Sequence, residues 1–291
     1  MQERTGARVL ATNLECTVLQ TIAHKFIKFI QEQPLLILSS VDDLGRAWAS
    51  VLYGEPGFMT VVDERTLHID SLPEQGDPLH HNLLDGRDIG LLLIDFATRR
   101  RLRLNGKLTR ELDGFSVRTN QVYPNCPRYI QAREWQFADE VKRIAPVVES
   151  TAVLNEELQQ LIRQADTFFI ASYHSESGAD ISHRGGFGGF VQVVDEKTLL
   201  WPEYNGNGMF NTLGNISENS RAGLLFIDFE SGGTLQLTGT ATIVWEEERV
   251  AAMPGAERLV AYELEQALVS THGGMLHWRF MNYSEDNPWY S

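Results

Sequence analysis

The stretch VVDEKTL, Val193 to Leu199, repeats an earlier stretch of the same chain, VVDERTL, Val61 to Leu67, with one basic residue exchanged for another. Position 61 to position 193 is a step of 132. A second pair follows in the same order: GLLLIDF, Gly90 to Phe96, returns as GLLFIDF, Gly223 to Phe229, after a step of 133. Ahead of both pairs, between Asn13 and Gln33, the apolar residues Ile22, Phe26, Phe29 and Ile30 fall on one helical face. A step of 132 carries them onto Leu154, Leu158, Leu161 and Ile162, the same stripe. Two matched phrases in order, each behind a matching helix, indicate an internal duplication. A period near 130 is too long for a solenoid unit and suits a domain.

Each copy reads as a helix followed mainly by strands. PLLILSS and TFFIASY come directly after the helices, and shorter apolar runs broken by Gly, Asp and Asn come next. The clearest strand is Leu235 to Glu246, whose odd positions from Leu235 to Trp245 form one face. Its counterpart turns Leu102, Leu104, Gly106 and Leu108 inward. Arg101, Arg103, Asn105 and Lys107 lie on the other face, as a solvated surface or as part of a cleft. Many short strands with few helices predict a mainly β fold, a small β-barrel with flanking helices, written twice. The expected domains are residues 13–133 and 150–291, joined by a connection from about Ala132 to Thr151.

The 291 residues carry a net charge of −14, which argues against a nucleic-acid binder, since such proteins use excess Lys and Arg to displace counterions. No apolar run approaches the length of a membrane span, and the first residues lack a hydrophobic signal core. Two cysteines, Cys16 and Cys126, make no disulfide framework and no zinc pair, and His80-His81 has no carboxylate at ligand spacing. The expectation is a cytoplasmic protein without a metal.

The copies differ most in their polar residues. SHRGGFGGF, Ser182 to Phe190, lies over SVLYGEPGF, Ser50 to Phe58, so His183-Arg184 replaces Val51-Leu52. Further on, PEYNGNGMFNTLGNI gathers Asn205, Gly206, Asn207, Asn211, Thr212 and Asn215 on a loop leading into a helix, NTLGNISEN. A loop entering a helix N-terminus presents unpaired N–H groups and favours an anion. Arg184 adds a candidate charge-assisted pair to a phosphate. The plainer reading is that Asn, Gly and Thr are ordinary loop and cap residues and that His183 is structural.

SHRGG, VVDEKTLLWPEYNGNGMFNTLGNISENSRAGLLFIDF and LTGTA in the second copy, with the weaker GDPLHHNLL, IGLLLIDF and RRRLRLNGKL in the first, resemble the pyridoxamine 5′-phosphate oxidase-like, FMN-binding split-barrel family. The resemblance implies six-stranded split barrels that pair, with flavin in the clefts between them. Here one chain supplies both barrels as an intrachain pseudo-dimer, and association into a further homo-oligomer stays open. The first copy's site is expected to be degenerate. FMN is the implied cofactor. Ser182, His183, Arg184 and Gly185 would meet ring, ribityl chain or phosphate, with the glycines allowing close approach to a flat ring. Asn205, Gly206, Asn207, Asn211 and Thr212 would sit near the phosphate. Gly208 stands where family members often carry a basic residue, which Arg184, or Arg101 or Arg103 from the first copy, would replace. Trp278 and Arg279 resemble in type a C-terminal pair that closes the site, or else pack a barrel end. His183 is the candidate for proton delivery. Two functions follow: a flavin-dependent oxidoreductase using a small-molecule electron donor or acceptor, or a non-catalytic module binding flavin, haem or a protein partner.

Overall fold

The structure is a computed structural model that describes residues 18–138, 147–206, 208–271 and 275–289. The first unit opens with helix α1 (His24–Gln31). Strands β1 (Leu35–Val41), β2 (Ala47–Tyr53), β3 (Met59–Asp63) and β4 (Thr66–Ile69) follow. Next come α2 (Pro78–Asn82), β5 (Asp88–Asp95), β6 (Arg100–Arg110) and β7 (Phe115–Asn125). β8 (Ala132–Phe137) and β9 (Val147–Thr151) lead to the second unit. It holds α3 (Glu156–Gln164), β10 (Thr167–His174), β11 (Gly178–Gly185), β12 (Gln192–Val193) and β13 (Thr198–Tyr204). It continues with α4 (Asn211–Glu218), β14 (Arg221–Ile227), β15 (Thr234–Val244), α5 (Glu247–Ala251), β16 (Ala256–Thr271) and β17 (Leu276–Asn282).

The two sheets follow one path. The first runs β2-β1-β5-β6-β7-β4-β3 and the second β11-β10-β14-β15-β16-β13-β12, with β9 added on β16. Strand for strand the orders correspond, and both are antiparallel. Register shifts at Asn105/Gly106 and Thr238/Gly239 bend β6 and β15 at equivalent places. The chain therefore forms two split-barrel units, of seven and eight strands rather than six. The extra strands are the short hairpin partners β3 and β12, and β9.

Two kinds of core explain why some strands read as unbroken apolar runs. In β1, Leu36 and Leu38 fill the first barrel, while Leu35 and Ile37 face the second unit. In β10, Phe168 and Ile170 fill the second barrel, while Phe169 and Ala171 face the first. Leu92 and Ile94 of β5 meet Leu225 and Ile227 of β14 in the same inter-unit core. A strand buried on both faces has no polar alternation to show. The closest approaches repeat across the interface. A Cβ on Gly90 would lie 3.0 Å from Ala179 O, and one on Gly223 would lie 2.5 Å from Ala47 O. Equivalent glycines of the two units thus each meet backbone of the other.

Some sequence boundaries move. The helix expected within residues 13–33 starts at His24, with Ile22 buried just ahead of it, and Leu154 likewise precedes α3. Residues 13–17 lie outside the described residues, as does Cys16. The connection from Ala132 to Thr151 is partly ordered into sheets, because β8 pairs with β17 and β9 with β16.

Candidate functional site

A cavity of about 150 Å³ opens between the units, lined by β6 and β7 of the first and by β11, β13 and the start of α4 of the second. It carries five arginines, Arg101, Arg103, Arg128, Arg184 and Arg258, against one carboxylate, Glu203. In a chain of net charge −14 that is a local reversal of sign. A shallower groove of about 600 Å³ adjoins it and shares Met209, Phe210 and Asn211.

Arg103 forms the centre. Its residue is only 6% exposed, so the arginine-rich face of β6 is not solvated there. Nη1 donates to Asp180 Oδ1 at 2.9 Å and Oδ2 at 3.1 Å, and to Tyr123 OH at 2.9 Å. Nη2 donates to Ser182 Oγ at 2.6 Å. Burial alone would lower the Arg103 pKa, but the Asp180 carboxylate overrides it and raises the value. Asn105 donates to Asp180 Oδ1 at 3.1 Å, and Lys107, further along the same face, is exposed.

The second unit supplies the opposite wall. Ser182 Oγ lies 2.7 Å from Thr212 Oγ1, and Asn211 Nδ2 donates to Tyr123 OH at 2.6 Å. α4 has no side-chain cap: its N-cap residue is Phe210, in the left-handed region at φ 57°. The N-terminal turn of α4 therefore meets the cavity beside hydroxyls and a guanidinium. Arg184 Nε donates to Glu203 Oε1 at 2.6 Å, and Trp201 Nε1 donates to the same oxygen at 3.2 Å.

Ser182 and His183 are consecutive on β11 and so face opposite ways. His183 turns toward the inter-unit core, with the Phe169 ring 5.7 Å and the Phe96 ring 6.4 Å away. Arg101 Nη1 stands 3.1 Å from His183 Nδ1. A guanidinium only donates, so Nδ1 accepts and the ring proton sits on Nε2. Burial, reinforced by Arg101, Arg184 and Arg133, holds His183 well below the usual histidine pKa, and the ring is neutral at pH 7. Nε2 is buried without a partner.

The remaining expected residues are placed as follows. The closest neighbour of Gly185 is not a flat ring: a Cβ there would lie 2.0 Å from Tyr129 O, so the chain itself fills that space. Tyr129 belongs to a strap, residues 125–131, that crosses from the first unit onto the second. Its hydroxyl donates to Asn205 O at 2.8 Å, and Arg128 donates to Asn205 Oδ1 at 3.0 Å. Asn205 thus anchors the strap, while Gly206 and Gly208 line the cavity. Asn207 lies outside the described residues. Trp278 and Arg279 are not in the cavity lining. Trp278 stacks edge-on with Phe96 and Phe229 in the inter-unit core, and Arg279 is exposed and paired with Glu134. Pairing of β17 with β8 carries both away from the cleft. Sequence reasoning missed Tyr123, Asp180 and Glu203, each single residues on strands with no local signal. Cys126 is free and half-buried at the cavity edge. No metal-ligating cluster occurs among the described residues.

The corresponding place in the other cleft is filled by the chain. Asp77 caps α2, accepting from Leu79 N at 2.8 Å and from Ser50 Oγ at 2.6 Å. Gln236, which occupies on β15 the place of Arg103 on β6, donates to Asp77 Oδ2 at 3.1 Å and to Ser50 Oγ at 3.1 Å. A helix N-terminus, a β-strand serine and a polar side chain from the opposite unit thus converge on a carboxylate. In the first-described cleft the same three kinds of donor face a cavity.

Residues 154–276 match the pyridoxamine 5′-phosphate oxidase family model. The matched stretch lies within the second unit. Solved structures similar to part of this chain include a putative pyridoxamine 5′-phosphate oxidase from Lactobacillus delbrueckii, 19% identical, covering 40% of this chain and 94% of its own, with a TM-score of 0.33. An FMN-binding protein from Syntrophomonas wolfei is 11% identical, covers 39% and 86%, and has a TM-score of 0.29. The FAD binding protein from Mycobacterium smegmatis is 15% identical, covers 42% and 100%, and has a TM-score of 0.31. No curated protein gave a match. No helix among the described residues is long and apolar enough to cross a membrane.

Proposed function

We propose that the cleft between the units binds a flavin nucleotide, FMN in the simplest case, and that the protein is an oxidoreductase acting through it. The single observation that carries this reading is the donor set of uncapped α4, Ser182, Thr212 and Arg103, beside the counterpart set that closes on the Asp77 carboxylate. That carboxylate stands in for a ligand anion. A phosphate placed among the open set would find helix N–H groups, two hydroxyls and a guanidinium. The enclosed cavity alone is smaller than the roughly 300–1,000 Å³ of small-molecule sites, but cavity and groove together reach that range. The residues fit a phosphate-bearing ligand on the chemistry of their donors.

When bound, the flavin would supply hydride or electron transfer. The chain's part is to hold and orient it. Ser182, Thr212 and Arg103 would fix the phosphate, Arg184 would orient polar edges, and the Tyr129 strap would limit water. His183 enters as a neutral donor through Nε2–H rather than as an acid that cycles its proton. The same tautomer disfavours haem held by His183, because the Nε2 lone pair needed for iron is occupied by a proton. We read the matching sheets as a tandem duplication in which one composite cleft has kept its ligand and the other has closed on Asp77.

An absorption spectrum of the purified protein, followed by titration with FMN, tests the reading. Oxidised-flavin bands, or saturable uptake at one FMN per chain, are expected. A protein that takes up no flavin, or one that shows a Soret band, would overturn it. Reduction by NADH or NADPH and turnover with an acceptor then distinguish an enzyme from a carrier.

A further inference from the structure

We propose that Arg101 and His183 form a second anion subsite in the cleft, separate from that at α4, which takes a carboxylate or phosphate group. The inference rests on the flavin reading only for the identity of the first anion.

Three observations converge. First, the arginines of the cleft are not equivalent in their counter-charges. Arg103 has Asp180 at 2.9 Å and Arg184 has Glu203 at 2.6 Å. Arg101 has no carboxylate among the described residues. Nη2 donates to the carbonyls of Cys126 and Arg128, Nη1 meets the neutral His183 ring, and Nε is buried with no partner. A cation withdrawn from water without a counter-charge is costly, and an incoming anion removes that cost. Second, His183 is 4% exposed and its Nε2–H also lacks an acceptor. Both residues line the cavity, and what this wall lacks is a counter-charge for Arg101. Third, the two sets of donors diverge. Arg101 and Arg103 stand two residues apart on β6, about 7 Å along the strand. Their heads engage consecutive β11 residues that face opposite ways, His183 and Ser182. One phosphate seated at α4 therefore leaves Arg101 unpaired. Burial, and then the nearby Arg103 charge, push the Arg101 pKa down to about 9, as expected of a cation awaiting a partner.

The subsite accepts an oxyanion of a second reactant or a second phosphate of the nucleotide, and one experiment separates them. The full chain, as wild type, Arg101→Gln and Arg101→Lys, is titrated with riboflavin, FMN and FAD. The FMN-loaded forms are then titrated with benzoate and with its neutral analogue benzamide, read by the visible flavin spectrum. Saturable binding of benzoate about tenfold tighter than benzamide is expected in wild type. Arg101→Gln should lose that preference, and Arg101→Lys should restore part of it. If FAD outbinds FMN in wild type and loses its advantage in Arg101→Gln, the subsite stands and its occupant is the nucleotide's own second phosphate. Equal binding of benzoate and benzamide overturns the proposal. So does an Arg101→Gln variant that loses FMN as severely as Arg103→Gln, since a single anion site would then explain both. A chain that binds no flavin refutes the flavin reading alone. The subsite is then decided on the unliganded protein by the Tm change that benzoate produces relative to benzamide. A rise in wild type that is absent in Arg101→Gln supports it, and equal changes overturn it.

Discussion

Arg103 of the first unit donates to Ser182 Oγ of the second at 2.6 Å, and its other nitrogen holds both oxygens of Asp180. One side chain thereby joins the units and builds the wall of the cleft.

Removing that guanidinium leaves Asp180 buried with Asn105 as its main partner. Arg103→Gln should destabilise the chain by about 3–5 kcal/mol, the cost of an orphaned buried charge. Arg103→Met with Asp180→Leu should be far less damaging, because both charges leave together. Denaturant unfolding of the three proteins measures the difference, and both variants should lose FMN uptake.

Asp77 makes the opposite cleft sensitive to pH. Burial raises its pKa above 3.8, and the bonds from Ser50, Leu79 and Gln236 only partly offset this. The folded chain therefore holds the Asp77 proton more tightly than the unfolded chain does. Between 3.8 and the raised value, stability from this group falls as pH rises, and above it the cost is fully present. Asp77→Asn should remove that slope. The Tm difference between wild type and Asp77→Asn, followed from pH 7 down to 4, should change with pH in this sense.

For His183 the sign is reversed. Its folded pKa lies well below 6.5, so the unfolded chain binds the extra proton first and the contribution of this group to stability falls as pH drops below 6.5. Nitrogen NMR of the imidazole should show the Nε2–H tautomer unchanged from pH 8 to pH 6. Protonation within that range would remove the neutral-donor role.

Gly185 and Gly189 test two different demands on the glycine-rich run. A methyl group at Gly185 meets the Tyr129 carbonyl, so Gly185→Ala should cost about 1–3 kcal/mol and expose the strap to proteolysis. At Gly189 nothing lies within 4 Å but φ is +90°, so Gly189→Ala should cost about 1 kcal/mol through backbone strain and leave the strap protected. Thermal unfolding with limited proteolysis separates the two.

Sequence by itself determined the paired architecture. VVDERTL and VVDEKTL, with their helices and apolar strands, settle local periodicity and burial, which neighbouring residues encode directly. The phrase around Ser182, Arg184, Gly206, Asn211 and Thr212 also located one wall of the cleft. Only the tertiary structure decided the other wall. Arg101, Arg103 and Tyr123 lie about 60 to 80 positions before Ser182, and the sequence left the arginine face either solvated or part of a cleft until the second unit covers it. It also left Trp278 and Arg279 outside the cavity lining, because β17 pairs with β8 of the other half. Burial and counter-charge are set by which surfaces meet, and here they meet between units far apart in the chain.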